Sequence, residues 1–253
     1  MAYASENVVW LLESGESRLL SPEGLLGANP SLSSDGAWVA FTAGENESAF
    51  RLYVAKTDGS DHRIVGDHDF VQSSVDWSPD DSFLVFDQYS EEIPLQVFTV
   101  SATGSGEPAQ LTYGEANGKP KWGPDDRILF LSLWDHGKQE IYSMAVDGSY
   151  PTNLTHDPAR DVLAEMSPDG AEIVFASDRA GDDELDIWVM DADGTNPRRL
   201  TDQVERDTNP TWSSDGRHII FRSDRVPEGL WYMNPDGSDQ TLLLEGGWLA
   251  SCP

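Results

Sequence analysis

Short apolar runs, each closed off by polar turn residues, follow one another along the whole chain in a single rhythm. A run ending in phenylalanine recurs at Val39-Ala40-Phe41, Leu84-Val85-Phe86, Ile128-Leu129-Phe130, Ile173-Val174-Phe175 and Ile219-Ile220-Phe221. Ten to thirteen residues after each phenylalanine comes a second aromatic: Tyr53, Phe98, Tyr142, Trp188 and Trp231. An acidic turn precedes each run, at Asp35-Gly36, Asp80-Asp81, Asp125-Asp126, Asp169-Gly170 and Asp215-Gly216, at intervals of 44 to 46 residues. A second turn follows each aromatic, at Gly59, Gly104, Gly148, Gly194 and Gly237. Glycine supplies the positive φ that a tight hairpin needs, and aspartate bonds the backbone of its own turn. The runs have the length of strands, and no 3.6-residue period persists anywhere. Four short strands repeating at about 40–50 residues are the signature of a β-propeller blade.

The two ends of the chain each hold part of a sixth copy. Met1-Ala2-Tyr3 fits the slot of the apolar run, Trp10 that of the second aromatic and Gly15 that of the second turn. This N-terminal copy lacks a first strand. Trp248-Leu249-Ala250-Ser251-Cys252-Pro253 supplies one, because Cys252-Pro253 aligns with Ser78-Pro79 and Ser167-Pro168. The expected fold is therefore all-β: a six-bladed β-propeller of four-stranded antiparallel blades forming one domain over residues 1–253. Its ring is closed three-plus-one, by the N-terminal strands of residues 1–20 and the C-terminal strand of residues 248–253. Such a closure removes the exposed edge of an unfinished sheet.

Composition sharpens the picture. Nine Trp, nine Phe and seven Tyr give large side chains to fill the wedges between blades. The 45 acidic and 16 basic residues give a net charge of −29. A phosphate backbone needs a positive footprint, so nucleic acid is excluded as a partner, and anionic lipid is disfavoured for the same reason. No apolar run approaches the roughly 18 residues of a membrane span, so membrane insertion is not expected. The single Cys252 allows no internal disulfide. With Met1 already in a strand, no signal peptide is expected in this chain, and such an acidic surface favours a monomer.

The segments Trp77-Ser78-Pro79-Asp80, Trp122-Gly123-Pro124-Asp125, Met166-Ser167-Pro168-Asp169-Gly170 and Trp212-Ser213-Ser214-Asp215-Gly216 share one pattern. Together with Ile187–Gly194 and Arg198-Arg199-Leu200-Thr201, they resemble the TolB-type propeller repeat over essentially the whole chain. Nothing here corresponds to the N-terminal α/β domain of TolB. The resemblance implies an extracytoplasmic, periplasmic or secreted setting. The same repeat also occurs in propeller domains of prolyl-oligopeptidase relatives and in some polysaccharide lyases.

In such a blade the first-to-second and third-to-fourth turns lie at one end, and the longer second-to-third loops and blade links at the other. Binding usually resides on such variable loops over a rigid scaffold. Five positions before the tryptophan slot, the links carry Gly27, Gln72, Asn117, Asp161, Asp207 and Gly246. Gln72, Asn117, Asp161 and Asp207 are thus candidates to line the mouth of the central channel. Oxygen ligands of this kind suit Ca²⁺ or Mg²⁺ rather than Zn²⁺, so calcium at the channel mouth is the candidate ion. The alternative is that these side chains cap turns. One position before the tryptophan slot stand Asp76, Lys121 and Glu165, which read as a chain of ion pairs.

Catalytic patterns are scarce. There is no Gly-x-Ser-x-Gly elbow, and the five histidines lack metal-ligand spacing. His68 and His156 lie in blade links and, with Arg160, Arg206 or Tyr113, supply the residue types of a lyase's base and charge clamp. Trp134, in the loop Trp134-Asp135-His136-Gly137, is either an exposed platform for a sugar or partner side chain or a partly buried anchor. The reading that follows is a non-catalytic scaffold, needing no cofactor, that captures a protein or peptide partner on the loop face. The alternative is a carbohydrate-active enzyme, a polysaccharide lyase or glycoside hydrolase, using the same face. A cluster of His, Tyr and Arg at the channel mouth would favour the enzyme, and a ring of amides and acids the scaffold.

Overall fold

Each apolar run becomes a strand, and the strands assemble in sets of four. The structure, a computed structural model, describes residues 1–253 apart from 6–7, 14–15, 47–48, 66–70, 91–93, 136, 182–183, 247–248 and 252–253; for residues 5, 12–13, 71–72 and 249–251 it describes the backbone alone. The fold is the expected all-β six-bladed propeller, six four-stranded antiparallel sheets, with no α-helix among the described residues.

The first sheet joins β1 (Ala2–Ser5), β2 (Val8–Glu13) and β3 (Glu16–Leu19) to the last strand of the chain, β24 (Leu249–Ser251), in the order β24-β1-β2-β3. This is the three-plus-one construction that the sequence predicts. The second sheet runs β4 (Leu26–Leu32), β5 (Trp38–Gly44), β6 (Arg51–Lys56), β7 (His62–Val65), and the third β8 (Val71–Trp77), β9 (Phe83–Tyr89), β10 (Gln96–Ser101), β11 (Ala109–Gln110). The fourth comprises β12 (Asn117–Trp122), β13 (Arg127–Ser132), β14 (Glu140–Ala145) and β15 (Thr152–Asn153). In the fifth, β16 (Asp161–Met166), β17 (Glu172–Ser177), β18 (Asp186–Asp191) and β19 (Arg198–Arg199) follow in order. The sixth holds β20 (Asp207–Trp212), β21 (Ile219–Ser223), β22 (Gly229–Met233) and β23 (Thr241–Glu245).

Two compact units divide the chain, residues 1–122 with 251–253 and residues 123–250. In the first unit, one apolar cluster gathers Ala40, Leu52, Trp77, Phe86 and Phe98, and another Val9, Leu32, Val39 and Phe41. The second unit has one larger cluster that includes Ile141, Met166, Phe175, Ile187, Trp212 and Phe221. The repeated phenylalanines are the centre of this design. Phe41, Phe86, Phe130, Phe175 and Phe221 are all fully buried. Cross-strand register sets each one opposite the second aromatic of its repeat, Phe41 facing Tyr53, Phe86 facing Phe98, Phe130 facing Tyr142, Phe175 facing Trp188 and Phe221 facing Trp231. Ring centroids lie 5.6 Å apart for Phe41 and Tyr53 and 6.0 Å apart for Phe86 and Phe98, within the range of favourable aromatic pairs.

The Leu-Thr pair that ends the fourth-strand segment has an equally local cause. Leu111, Leu154 and Leu200 are buried in their repeats. The hydroxyl next to each accepts a third-strand N–H: Thr112 from Val97 at 2.9 Å, Thr155 from Ile141 at 3.1 Å and Thr201 from Ile187 at 2.9 Å. Several first strands carry a bulge instead of a regular ladder. Asn29, Lys119, Leu163 and Asn209 take positive φ of 52–58° there, and register slips beside three of them. A bulge re-aims the residues on either side of it.

The acidic turns are structural. In four of them a serine hydroxyl donates to the aspartate two residues on, Ser33 to Asp35, Ser78 to Asp80, Ser167 to Asp169 and Ser213 to Asp215, at 2.6–2.7 Å. Each carboxylate also accepts a backbone N–H two residues further along. The serine hydroxyl, then that N–H, holds each carboxyl below the usual aspartate range. A group whose pKa is depressed in the fold contributes stability above its unfolded pKa, and that contribution fades as pH falls through the folded value. The cost of Ser167→Ala is therefore expected to be largest at neutral pH. It should shrink below pH ~4, leaving the loss of the bonds that Ser167 Oγ accepts from the Ala171 and Glu172 N–H groups. Urea melts of both proteins at pH 7 and pH 3 test this, and an unchanged difference would count against the hydroxyl–carboxylate bond.

Candidate functional site

Two arginine–aspartate pairs dominate the loop end of the second unit. Asp161 and Asp207 open β16 and β20, and both are fully buried. Eighteen residues after each acid, just past the second strand, stands an arginine. Arg179 Nη2 lies 2.9 Å from Asp161 Oδ2, and Arg225 Nη2 lies 2.6 Å from Asp207 Oδ2. The guanidinium groups fold back over the aromatic pairs of their own sheets. Arg179 Cζ sits 5.0 Å from the Phe175 ring and 5.3 Å from Trp188; Arg225 Cζ sits 5.4 Å from Phe221 and 5.3 Å from Trp231. Ser177 Oγ accepts both N and Nε of Arg179, and Gln240 Oε1 accepts Nη1 of Arg225. Burial pushes the Asp161 carboxyl up, against the opposing pull of the Ser177 hydroxyl and Arg179. Each acid is thus neutralised within its own blade, and a buried charge survives only on such terms.

The fourth repeat replaces both partners. Where the acids stand it has Asn117, and where the arginines stand it has Trp134. Trp134 is half-buried, edge-on to Phe130 at 5.8 Å and to Tyr142 at 5.3 Å, so it is a loop anchor in contact with the aromatic pair. Beside it the Tyr142 hydroxyl donates to Asp135, and Asn153 Nδ2 donates to Asp135 at 3.0 Å and to Glu140 at 3.1 Å. Burial, then the Asp135 carboxylate, raises the Tyr142 pKa. In the first unit Asn117 is buried, and its amide donates to the Glu115 carbonyl at 2.6 Å and to Gln96 Oε1 at 3.2 Å.

Gln72 pairs with Gln88 through its backbone in β8, and its side chain lies outside the described residues, as does all of His68. His156 is exposed, and its N–H is held by Asn153 Oδ1 at 3.2 Å. Arg160 and Arg206 each offer a carbonyl to the loop opposite, to Asp178 N at 3.3 Å and Asp224 N at 3.0 Å. The Arg160 side chain leans towards Asp178, with Nε 3.9 Å from Oδ2, while Arg206 is exposed. The expected ion pair of Asp76 with Lys121 is present at 3.6 Å. Asp76 does a second job, accepting the Trp122 N–H of the next blade at 2.9 Å, and Glu165 does the same for Trp212 at 2.9 Å.

Among the described residues, no group of three or more His, Cys, Asp or Glu side chains gathers to hold a metal. A hard cation at Asp161 or Asp207 would have to displace a guanidinium already in place. Sequence reading overlooked Arg179 and Arg225, although a signal was there. Ser-Asp-Arg follows the phenylalanine run in two repeats that have Asp at the first-strand start, and Ser-Leu-Trp follows it where Asn stands.

Comparison with known proteins agrees with this architecture. The family described as the TolB beta propeller domain matches residues 37–185. An uncharacterised protein of Agrobacterium fabrum is 29% identical over 155 residues, covering 58% of this chain and 49% of that protein. The Tol-Pal system protein TolB of Bordetella pertussis is 30% identical over 138 residues, covering 54% of this chain and 32% of the relative. The chain thus spans half or less of the length of these curated relatives. A solved structure from Agrobacterium tumefaciens, provisionally assigned as TolB, is 26% identical and superposes with a TM-score of 0.80, covering 94% of this chain and 88% of that one.

Proposed function

Because the chain belongs to the TolB β-propeller domain family, we propose that it is a non-catalytic scaffold that captures a protein or peptide partner on its loop end. One observation carries this reading. The acids at the strand starts of the fifth and sixth sheets are fully buried and ion-paired, Asp161 with Arg179 and Asp207 with Arg225, so neither is exposed to a substrate. What remains outward-facing is a set of loop tips on a rigid base, which suits recognition. His156 is exposed and Arg160 leans towards Asp178, an arrangement that favours solvated or loop-bracing roles over a base and charge clamp. The family relationship also favours an extracytoplasmic setting.

The name of the Bordetella relative points to a Pal-type protein as the first partner to try. Calorimetric titration of the Pal protein of the same organism is expected to give saturable binding. The charge exchange Glu205→Arg with Arg206→Glu, at the loop end, should weaken it, whereas Tyr150→Ser, at the turn end, should leave it intact. Binding lost equally in both variants, or absent from the wild type, would sink the partner and the face together. Release of an unsaturated product from a polyuronate would overturn the non-catalytic reading and support a lyase.

A further inference from the structure

The sixth blade carries two valines in an environment that does not need them. Val204 is 88% exposed and Val226 is 97% exposed, the most exposed large aliphatic side chains among the described residues. They stand on different segments, Val204 in the link before β20 and Val226 in the loop after β21. The backbone ties those segments together. Asp207 pairs with Ser223 in the β20–β21 ladder, and the Asp224 N–H donates to the Arg206 carbonyl at 3.0 Å, one step beyond it. Val204 and Val226 each lie two residues beyond this last bond, in the bends where the ladder has ended. In the fifth blade the corresponding positions hold Pro158 and Ala180 in place of the two branched side chains.

The rim of this pair is acidic. Asp202 and Glu205 are exposed beside Val204. Asp224 and Glu228 flank Val226, with side chains 50% and 57% exposed. Both share a single buried guanidinium, that of Arg222, whose Nη2 lies 3.1 Å from Asp224 Oδ1 and also contacts Glu228. Arg225 is already taken by Asp207, which leaves Arg206 as the exposed cation of these two segments. Two exposed valines with four carboxylates on the same two segments offer an apolar contact beside negative charge, which suits a cationic, apolar partner segment. A second copy of this chain is a poor cover, because it brings another charge of −29.

We propose that Val204 and Val226 form a docking point for a peptide segment of a partner protein that presents an apolar side chain flanked by lysine or arginine. This rests on the scaffold reading above and names the chemistry of its partner. The apolar side chain packs between the valines and supplies affinity, while the flanking cations meet Asp202, Glu205, Asp224 and Glu228 and set orientation and on-rate.

The test uses the full chain, labelled with ¹⁵N, and two synthetic peptides, one with a central leucine between lysines and one with the lysines replaced by glutamates. The lysine peptide is expected to shift amides of residues 202–206 and 224–228, and the glutamate peptide to shift none. Val204→Asp with Val226→Asp should weaken the lysine peptide by roughly tenfold or more, the scale of losing about 1.4 kcal/mol or more of apolar burial. Thermal melts of that double variant should match wild type, since both positions are solvent-exposed. Shifts scattered over the acidic surface, shifts that survive the double variant, or no shifts at all would each overturn the docking point. Pal binding measured with the same variant separates the two readings: Pal that binds it as well as wild type leaves the scaffold standing and removes this site from it.

Discussion

Truncating Asp207 to alanine is expected to destabilise the protein by about 3–5 kcal/mol, the usual cost of removing one partner from a buried ion pair. The carboxylate is fully buried, and without it the Arg225 guanidinium, whose side chain is 12% exposed, keeps Gln240 and two aromatic faces among the described residues. A cation over an aromatic ring recovers about 0.5–2 kcal/mol, which is too little to hold an otherwise unpaired buried charge. Arg225→Met should cost a similar amount, because it strands Asp207 instead. The chain itself suggests the rescue. In its fourth repeat the same two sequence slots hold the uncharged residues Asn117 and Trp134, and the tryptophan lies edge-on to Phe130 and Tyr142. Asp207→Asn with Arg225→Trp is therefore expected to recover most of the loss, and urea unfolding of the four proteins gives the coupling directly. Additive losses in the double variant would mean that the two side chains act independently. Single variants that each cost under about 0.5 kcal/mol would place the pair among surface ion pairs, against the burial seen here.

The fold was legible because each repeat spells out its own turns. Asp-Gly and glycine turns fix the hairpins, and one phenylalanine per repeat marks the second strand, which is buried on both faces. Even the split first sheet could be read, since the alignment of residues 248–253 with the other first strands needs no tertiary information. The site was only half legible, and for a physical reason. The column Gln72, Asn117, Asp161 and Asp207 was visible as a set of oxygens, and oxygens alone suggest a cation from solution. The cation that neutralises two of them is a side chain 18 residues downstream, and it reaches its acid only because the second strand runs antiparallel to the first. A reading by columns treats each slot separately, whereas Asp161 with Arg179 and Asp207 with Arg225 are choices made in two slots at once. Exposure was equally out of reach. Trp134 and Val226 both sit in second-to-third strand loops, yet the tryptophan turns in onto Phe130 and the valine stays in solvent.

Phe175→Ala is expected to cost about 3–5 kcal/mol, the range for removing a large buried aromatic from a packed core. Phe175 is fully buried at the centre of the second unit's apolar cluster, faces Trp188 across β17 and β18, and lies under the Arg179 guanidinium. Its loss opens a cavity and takes away one of the two rings that hold Arg179 over Asp161, so packing and the ion pair suffer together. Phe83 provides the control. It stands in β9 within the third repeat but is 47% exposed, and Phe83→Ala should change stability by no more than about 0.5 kcal/mol. The contrast separates two roles that composition alone cannot, since both residues count equally among the nine phenylalanines. Adding Asp161→Asn and Arg179→Trp to Phe175→Ala should reduce its excess cost, because the uncharged pair no longer depends on a cation held over that ring. If Phe175→Ala melts within a degree or two of wild type, the phenylalanine column is not the core of the blades, and the packing described for all five repeats would have to be abandoned.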